Sequence, residues 1–228
     1  MKWTVKNETQ TACTKESRSP EYQMKNYFFT IVCSALLLIE GCIGIKKSVP
    51  VTDHQSRIGF NGYSVLPPEG DHWYLTEKSE TAVILEKQIS GLHMFYATAV
   101  ASPLLINFDS PGEFVAWVKK KRDRDSDPTR FRLIEHVEKP DRLFGAYCSR
   151  YYWKSVDTQL PKTHGATFIL EMNGYSCMHP AAPSLLIDIG YSEEYDPANH
   201  TPIDKKEGEE FLRTLRFDDL ERADVKSW

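Results

Sequence analysis

A chain of 228 residues with 28 Lys and Arg against 32 Asp and Glu carries a formal net charge of −4. That balance argues against the clustered basic surface with which a protein grips nucleic acid. With 41% hydrophobic residues there is apolar surface for a sizeable core, and the length fits one domain behind a leader.

Met1–Gln23 is polar and has no apolar period, so it cannot bury enough surface to offset the entropy of ordering it. Met24-Lys25-Asn26 reads as the compact basic start of a secretory signal, so translation is expected to begin at Met24, with residues 1–23 a start-site artefact. Tyr27–Ile39 is almost wholly apolar. At 1.5 Å per residue it covers roughly 20 Å, short of the ~30 Å hydrocarbon core, and suits a cleaved signal better than a spanning anchor.

Ile39-Glu40-Gly41-Cys42 resembles the lipobox of bacterial lipoproteins, with Glu40 standing where that family has a small or neutral residue. The resemblance implies a signal peptide over 24–41 and acylation of Cys42 as the first mature residue. Several acyl chains would give stable membrane attachment. Ile43 in place of the family's inner-membrane Asp signal implies the outer membrane, facing the periplasm. Residues 42–57, with Lys46-Lys47 and Pro50, read as a flexible tether. Residues 58–218 read as the globular domain and 219–228 as a charged tail.

Within the domain, Phe60–Leu66 has strand character and is closed by Pro67-Pro68-Glu69-Gly70. Ala82–Glu86 and His93–Ala101 are the next strands, joined near Ser90-Gly91. Ser110–Arg122 is the clearest helix: Ser110 caps it, Pro111 opens it and Glu113 completes a capping box. Phe131–Val137 alternates as a strand and turns at Pro140-Asp141, and Phe144–Trp153 follows. Ala166–Met172 and Tyr175–Met178 read as a hairpin through Asn173-Gly174, the strongest two-residue hairpin signal. Leu185–Tyr191 is a buried strand, Ser192–Pro202 a polar loop, and Asp204 with Glu207 opens a second helix carrying Phe211, Leu212 and Leu215.

These elements predict an α+β domain, with about seven antiparallel strands and two packed helices. Gly62-Tyr63-Ser64-Val65, Pro67 and Trp73 near the start, with Glu210-Phe211-Leu212 and Phe217 near the end, resemble Mog1/PsbP-like domains. That resemblance implies a binding or assembly factor.

No catalytic constellation stands out. Cys177 and His179 lie two apart on a strand, beyond hydrogen-bond reach, and Ser176 lacks the second glycine of a nucleophile elbow. The histidines show no metal-binding spacing, and Glu193, Glu194, Asp196 and His200 read as a solvated loop, so no metal or cofactor is expected. Cys148 and Cys177 are the only cysteines beside Cys42 in the mature chain, and an exported pair is expected to be bridged. Trp73, Tyr74 and Tyr152 could form an exposed aromatic binding surface. The function expected is a lipid-anchored envelope protein that binds another envelope protein or a small ligand. The alternative is an envelope hydrolase.

Overall fold

Strict alternation in His93–Pro103 places Phe95, Ala97, Ala99 and Ala101 on one face of a strand, where all are buried. Around it the computed structural model describes residues 48–143, 145–159, 167–200, 202–203 and 205–218. The signal segment, Cys42 and the charged tail lie outside the described residues, as do Ala166 and Asp204 from the expected hairpin and cap.

In chain order the strands are β1 (Val49–Pro50), β2 (Ile58–Gly59), β3 (Tyr63–Val65), β4 (Tyr74–Lys78), β5 (Ala82–Ser90) and β6 (His93–Pro103). Helix α1 (Pro111–Asp125) follows, then β7 (Phe131–Leu143), β8 (Ala146–Asp157), β9 (Phe168–His179) and β10 (Ala182–Tyr195). Helix α2 (Lys206–Arg213) and β11 (Arg216–Phe217) complete the domain. Eight strands form one antiparallel sheet in the order β1-β4-β5-β6-β10-β9-β8-β7, and β11-β3-β2 form a small second sheet. Two meanders, β4–β6 and β7–β10, are thus joined along β6 and β10, with α1 in the crossover between them.

The expected α+β fold, a Mog1/PsbP-like sandwich of about seven strands, is therefore corrected to a mostly β architecture of one eight-stranded and one three-stranded sheet. The strands are longer than expected because their polar residues bury against one another. Ser192, Glu193, Glu194 and Tyr195, expected in a loop, continue β10 opposite β6 and β9. Asn173-Gly174 does not turn; β9 runs straight through it. The turn lies at Pro180-Ala181, where the amides of Ala181 and Ala182 donate to His179 Nδ1. Likewise β7 passes through Pro140, which the ladder tolerates because β7 is an edge strand. The segment expected to be tether also contributes structure, since β1 pairs with β4.

Helix α1 begins as its sequence dictates: the Glu113 amide donates to Ser110 Oγ at 3.2 Å, with Pro111 in the first turn. The Glu113 carboxylate accepts instead from Asp109. Phe114 and Val118 seat the helix on Leu104 and Leu186. The main core lies on the opposite sheet face, where α2 and the small sheet bury Tyr63, Trp73, Phe95, Ile187, Ile189, Phe211 and Leu212. Cys148 and Cys177 are directly opposed on β8 and β9 and form the expected disulfide.

Candidate functional site

Both sheet faces carry buried polar groups, and each set is assembled by strand register rather than by neighbouring sequence. On the α2 face, Lys154 of β8 stands opposite Glu171 of β9, which stands opposite Glu193 of β10. Lys154 Nζ and Tyr195 Oη donate to Glu171 Oε1 at 2.7 and 2.8 Å, and Lys205 Nζ donates to Oε2 at 2.7 Å. Burial works to raise the Glu171 pKa, but these three donors outweigh it and hold the carboxyl down to about 2. Next to this cluster, Nε2 of His93 and Nε2 of His200 meet Glu193 Oε1 at 2.9 and 2.8 Å. The His200 ring stacks on Tyr195 with centroids 3.8 Å apart.

On the α1 face a cationic side chain is sealed under the helix. Arg122 Nε donates to Glu138 Oε1 at 3.1 Å and Nη2 donates to Ser176 Oγ at 2.8 Å, while the guanidinium lies 3.6 Å from the Tyr151 ring centroid. Ser149 donates to Glu138, Ser176 donates to Asp188, and His136 sets its ring nitrogens against Glu138 and Asp123. Burial pushes the Asp188 carboxyl upward, against the opposing pull of Arg122 at 3.7 Å and of the Ser176 hydrogen bond. Tyr151 packs over Gly174 and Gly190, which face each other across β9 and β10. A Cβ on Gly190 would stand 2.2 Å from Tyr151 Oη, so the glycine pair makes room for the ring.

Farther along the same face, Arg130 donates to Asp157 Oδ2 through Nε at 2.9 Å and Nη2 at 2.6 Å. Glu194 stands beside Asp157 with only 5% of its surface exposed. Burial, reinforced by the Asp157 charge, pushes its carboxyl up to about 7.

These hydroxyls and carboxylates are committed to one another. Ser149 and Ser176 are fully buried, and Cys148 and Cys177, the cysteines among the described residues, are joined in the disulfide. An open concavity among the described residues lies elsewhere, between α2, β11 and the Leu66–Glu69 segment. It is a cleft of about 660 Å³ with an apolar floor that includes Leu66, Pro67, Phe211 and Phe217. Arg57, Arg213 and Arg216 line it, against Glu69 and Glu210. His54 Nδ1 donates to Pro68 O at 2.6 Å, and Arg57 Nε donates to Ser64 Oγ at 2.9 Å, which fixes two of its walls. Its lining hydroxyl, Thr214 Oγ1, donates back to Phe211 O at 2.7 Å.

The three expected surface aromatics do not come together. Trp73 is 1% exposed, packed on Phe95, and donates from Nε1 to Glu207 Oε2 at 2.9 Å. Register puts Tyr74 on the α1 face with Glu86 and Tyr96, and Tyr152 on the α2 face with Asn173 and Tyr191. The aromatic surface is therefore replaced by the cleft. Its arginines come from two stretches more than 150 residues apart, Arg57 near the start of the domain and Arg213 with Arg216 at its end, and only the Pro67-Pro68 turn marked it in the sequence. His93 was invisible as a partner of Glu193 for the same reason, since they lie 100 residues apart.

No protein-family model matches this sequence, and no curated protein matches it. A solved structure from Bacteroides thetaiotaomicron VPI-5482 is similar over 73% of this chain, at 14% identity and a TM-score of 0.38. This chain spans about half, 49%, of that one.

Proposed function

We propose that this chain is an envelope lipoprotein, tethered through acylated Cys42, whose β domain binds another envelope component without turning it over. The observation that carries the binding role is the cleft beside α2, with its apolar floor and three arginines along its walls. An apolar body bearing a carboxylate or other anionic group is the complementary ligand, since guanidinium pairs with planar anions in a fork geometry. The buried hydroxyls and carboxylates on the sheet faces stabilise the fold and lie away from the cleft. The anchor rests on Ile39-Glu40-Gly41-Cys42, and the disulfide suits an oxidising compartment.

Site-specific photocrosslinking in intact cells tests the cleft. A photoreactive residue at Arg213 should give a discrete adduct that Arg216→Glu abolishes, whereas the same probe at exposed Lys120 on α1 should not give it. Identical adducts from both positions, or none from Arg213, would overturn the cleft as the binding surface. For the anchor, Cys42→Ser should abolish acyl labelling and processing to mature size, and unchanged labelling in that variant would refute it.

A further inference from the structure

We infer that His93, Glu193 and His200 form a site for one divalent transition-metal ion, with Zn²⁺ the best chemical match. The inference is independent of the cleft. The ligands come from β6, from β10 and from the segment after β10, so pairing at the centre of the sheet assembles the site. Their donor atoms lie within 4.8 Å of one another, and both imidazole Nε2 atoms converge on a single carboxylate oxygen at 2.9 and 2.8 Å.

In a tetrahedral zinc site with bonds of about 2.0–2.1 Å, donor atoms stand roughly 3.3–3.4 Å apart. The two His–Glu contacts therefore need to open by about half an ångström, which a small change in the Glu193 and His200 torsions supplies. Ring planes are already set: His200 stacks on Tyr195, and the His93 ring lies 5.5 Å from that of His200. His93 Nδ1 is buried and has no hydrogen-bond partner among the described residues. Nothing on that side of the ring pins its proton to Nε2, so Nε2 can present its lone pair with the proton on Nδ1.

Two imidazoles and one carboxylate are a zinc ligand set that leaves a fourth position for water, whereas Ca²⁺ and Mg²⁺ favour oxygen donors throughout. Lys205 Nζ is 3.6 Å from Glu193 Oε2, but it is tied at 2.7 Å to Glu171, which offsets its charge. The His200 side chain is 28% exposed, which gives an ion a route in from solvent.

The test uses the full-length processed protein, stripped with chelator and titrated with zinc chloride and, separately, cobalt chloride. One zinc should bind per chain with a dissociation constant of about 10 μM or tighter. The cobalt form should show the visible absorption of a four-coordinate site. His200→Ala is the deciding variant, because His93 and Glu193 are buried and their replacement risks unfolding. Folded His200→Ala, checked by circular dichroism, should bind roughly tenfold more weakly or worse, while His72→Ala at an exposed position should bind as wild type. Failure of the wild-type chain to take up zinc, or equal uptake by His200→Ala, would overturn the site.

Discussion

Glu194 gives the fold a built-in pH dependence whose sign and size follow from its surroundings. In the unfolded chain its carboxyl ionises near the ordinary value of 4.5, whereas in the folded chain burial and the neighbouring Asp157 push it up to about 7. Between those limits the folded state holds a proton that the unfolded state has released, so stability falls as pH rises through the window. The contribution is intact below about pH 4.5 and is lost by the time pH passes 7. At about 1.4 kcal/mol per pH unit, the loss approaches 3 kcal/mol, or roughly 6–12 °C in Tm for a domain of this size. Glu194→Gln keeps the shape and removes the titration. Urea unfolding of both proteins at half-unit intervals from pH 4.5 to 8.5 isolates the effect as the difference between two curves. The variant should gain on wild type by about 3 kcal/mol across that range. Parallel curves would refute the reasoning, because they would mean that Glu194 ionises alike in folded and unfolded chains.

Two further perturbations test the packing. Cys148→Ser should cost roughly 3–4 kcal/mol by the loop-entropy argument for a separation of 29 residues, measured by equilibrium unfolding, and non-reducing mass mapping should recover the Cys148–Cys177 peptide from wild type. Gly190→Ala should cost about 1–3 kcal/mol because its methyl group meets the Tyr151 hydroxyl; in a Tyr151→Phe background the cost should shrink, and an unchanged penalty in that double-mutant cycle would show that the hydroxyl is not the obstacle.

Features written in adjacent residues were legible before folding was considered. Ser110, Pro111 and Glu113 encode the start of α1 within four positions, and the helix begins there. The disulfide could be inferred from the cysteine count once the chain was read as exported, while its register, Cys148 directly opposite Cys177, could not. Polarity misled wherever tertiary pairing satisfied it. Glu171, Glu193 and Glu194 look like solvated residues, yet they are buried against lysine, histidine and a second carboxyl that register brings across the sheet. Asn173-Gly174 looks like a turn because Asn and Gly tolerate positive φ, but here the glycine is needed for its missing Cβ, which makes room for Tyr151. The clusters of this fold join residues dozens of positions apart, a distance over which hydrophobic period and turn chemistry carry no information.

The seam between the two meanders sets the order in which the chain can complete itself as it folds. Strand β6 pairs with β5 at once, but its other edge waits for β10, which lies up to 100 residues further along the chain at Glu193. Until β10 docks, an eleven-residue strand rich in Ala, Phe, Tyr and Val offers an unpaired ladder. The folding domain is therefore most open to self-association in the interval before its last long strand docks. A holdase that shields β6 during that interval would raise the yield of folded protein without touching its final stability.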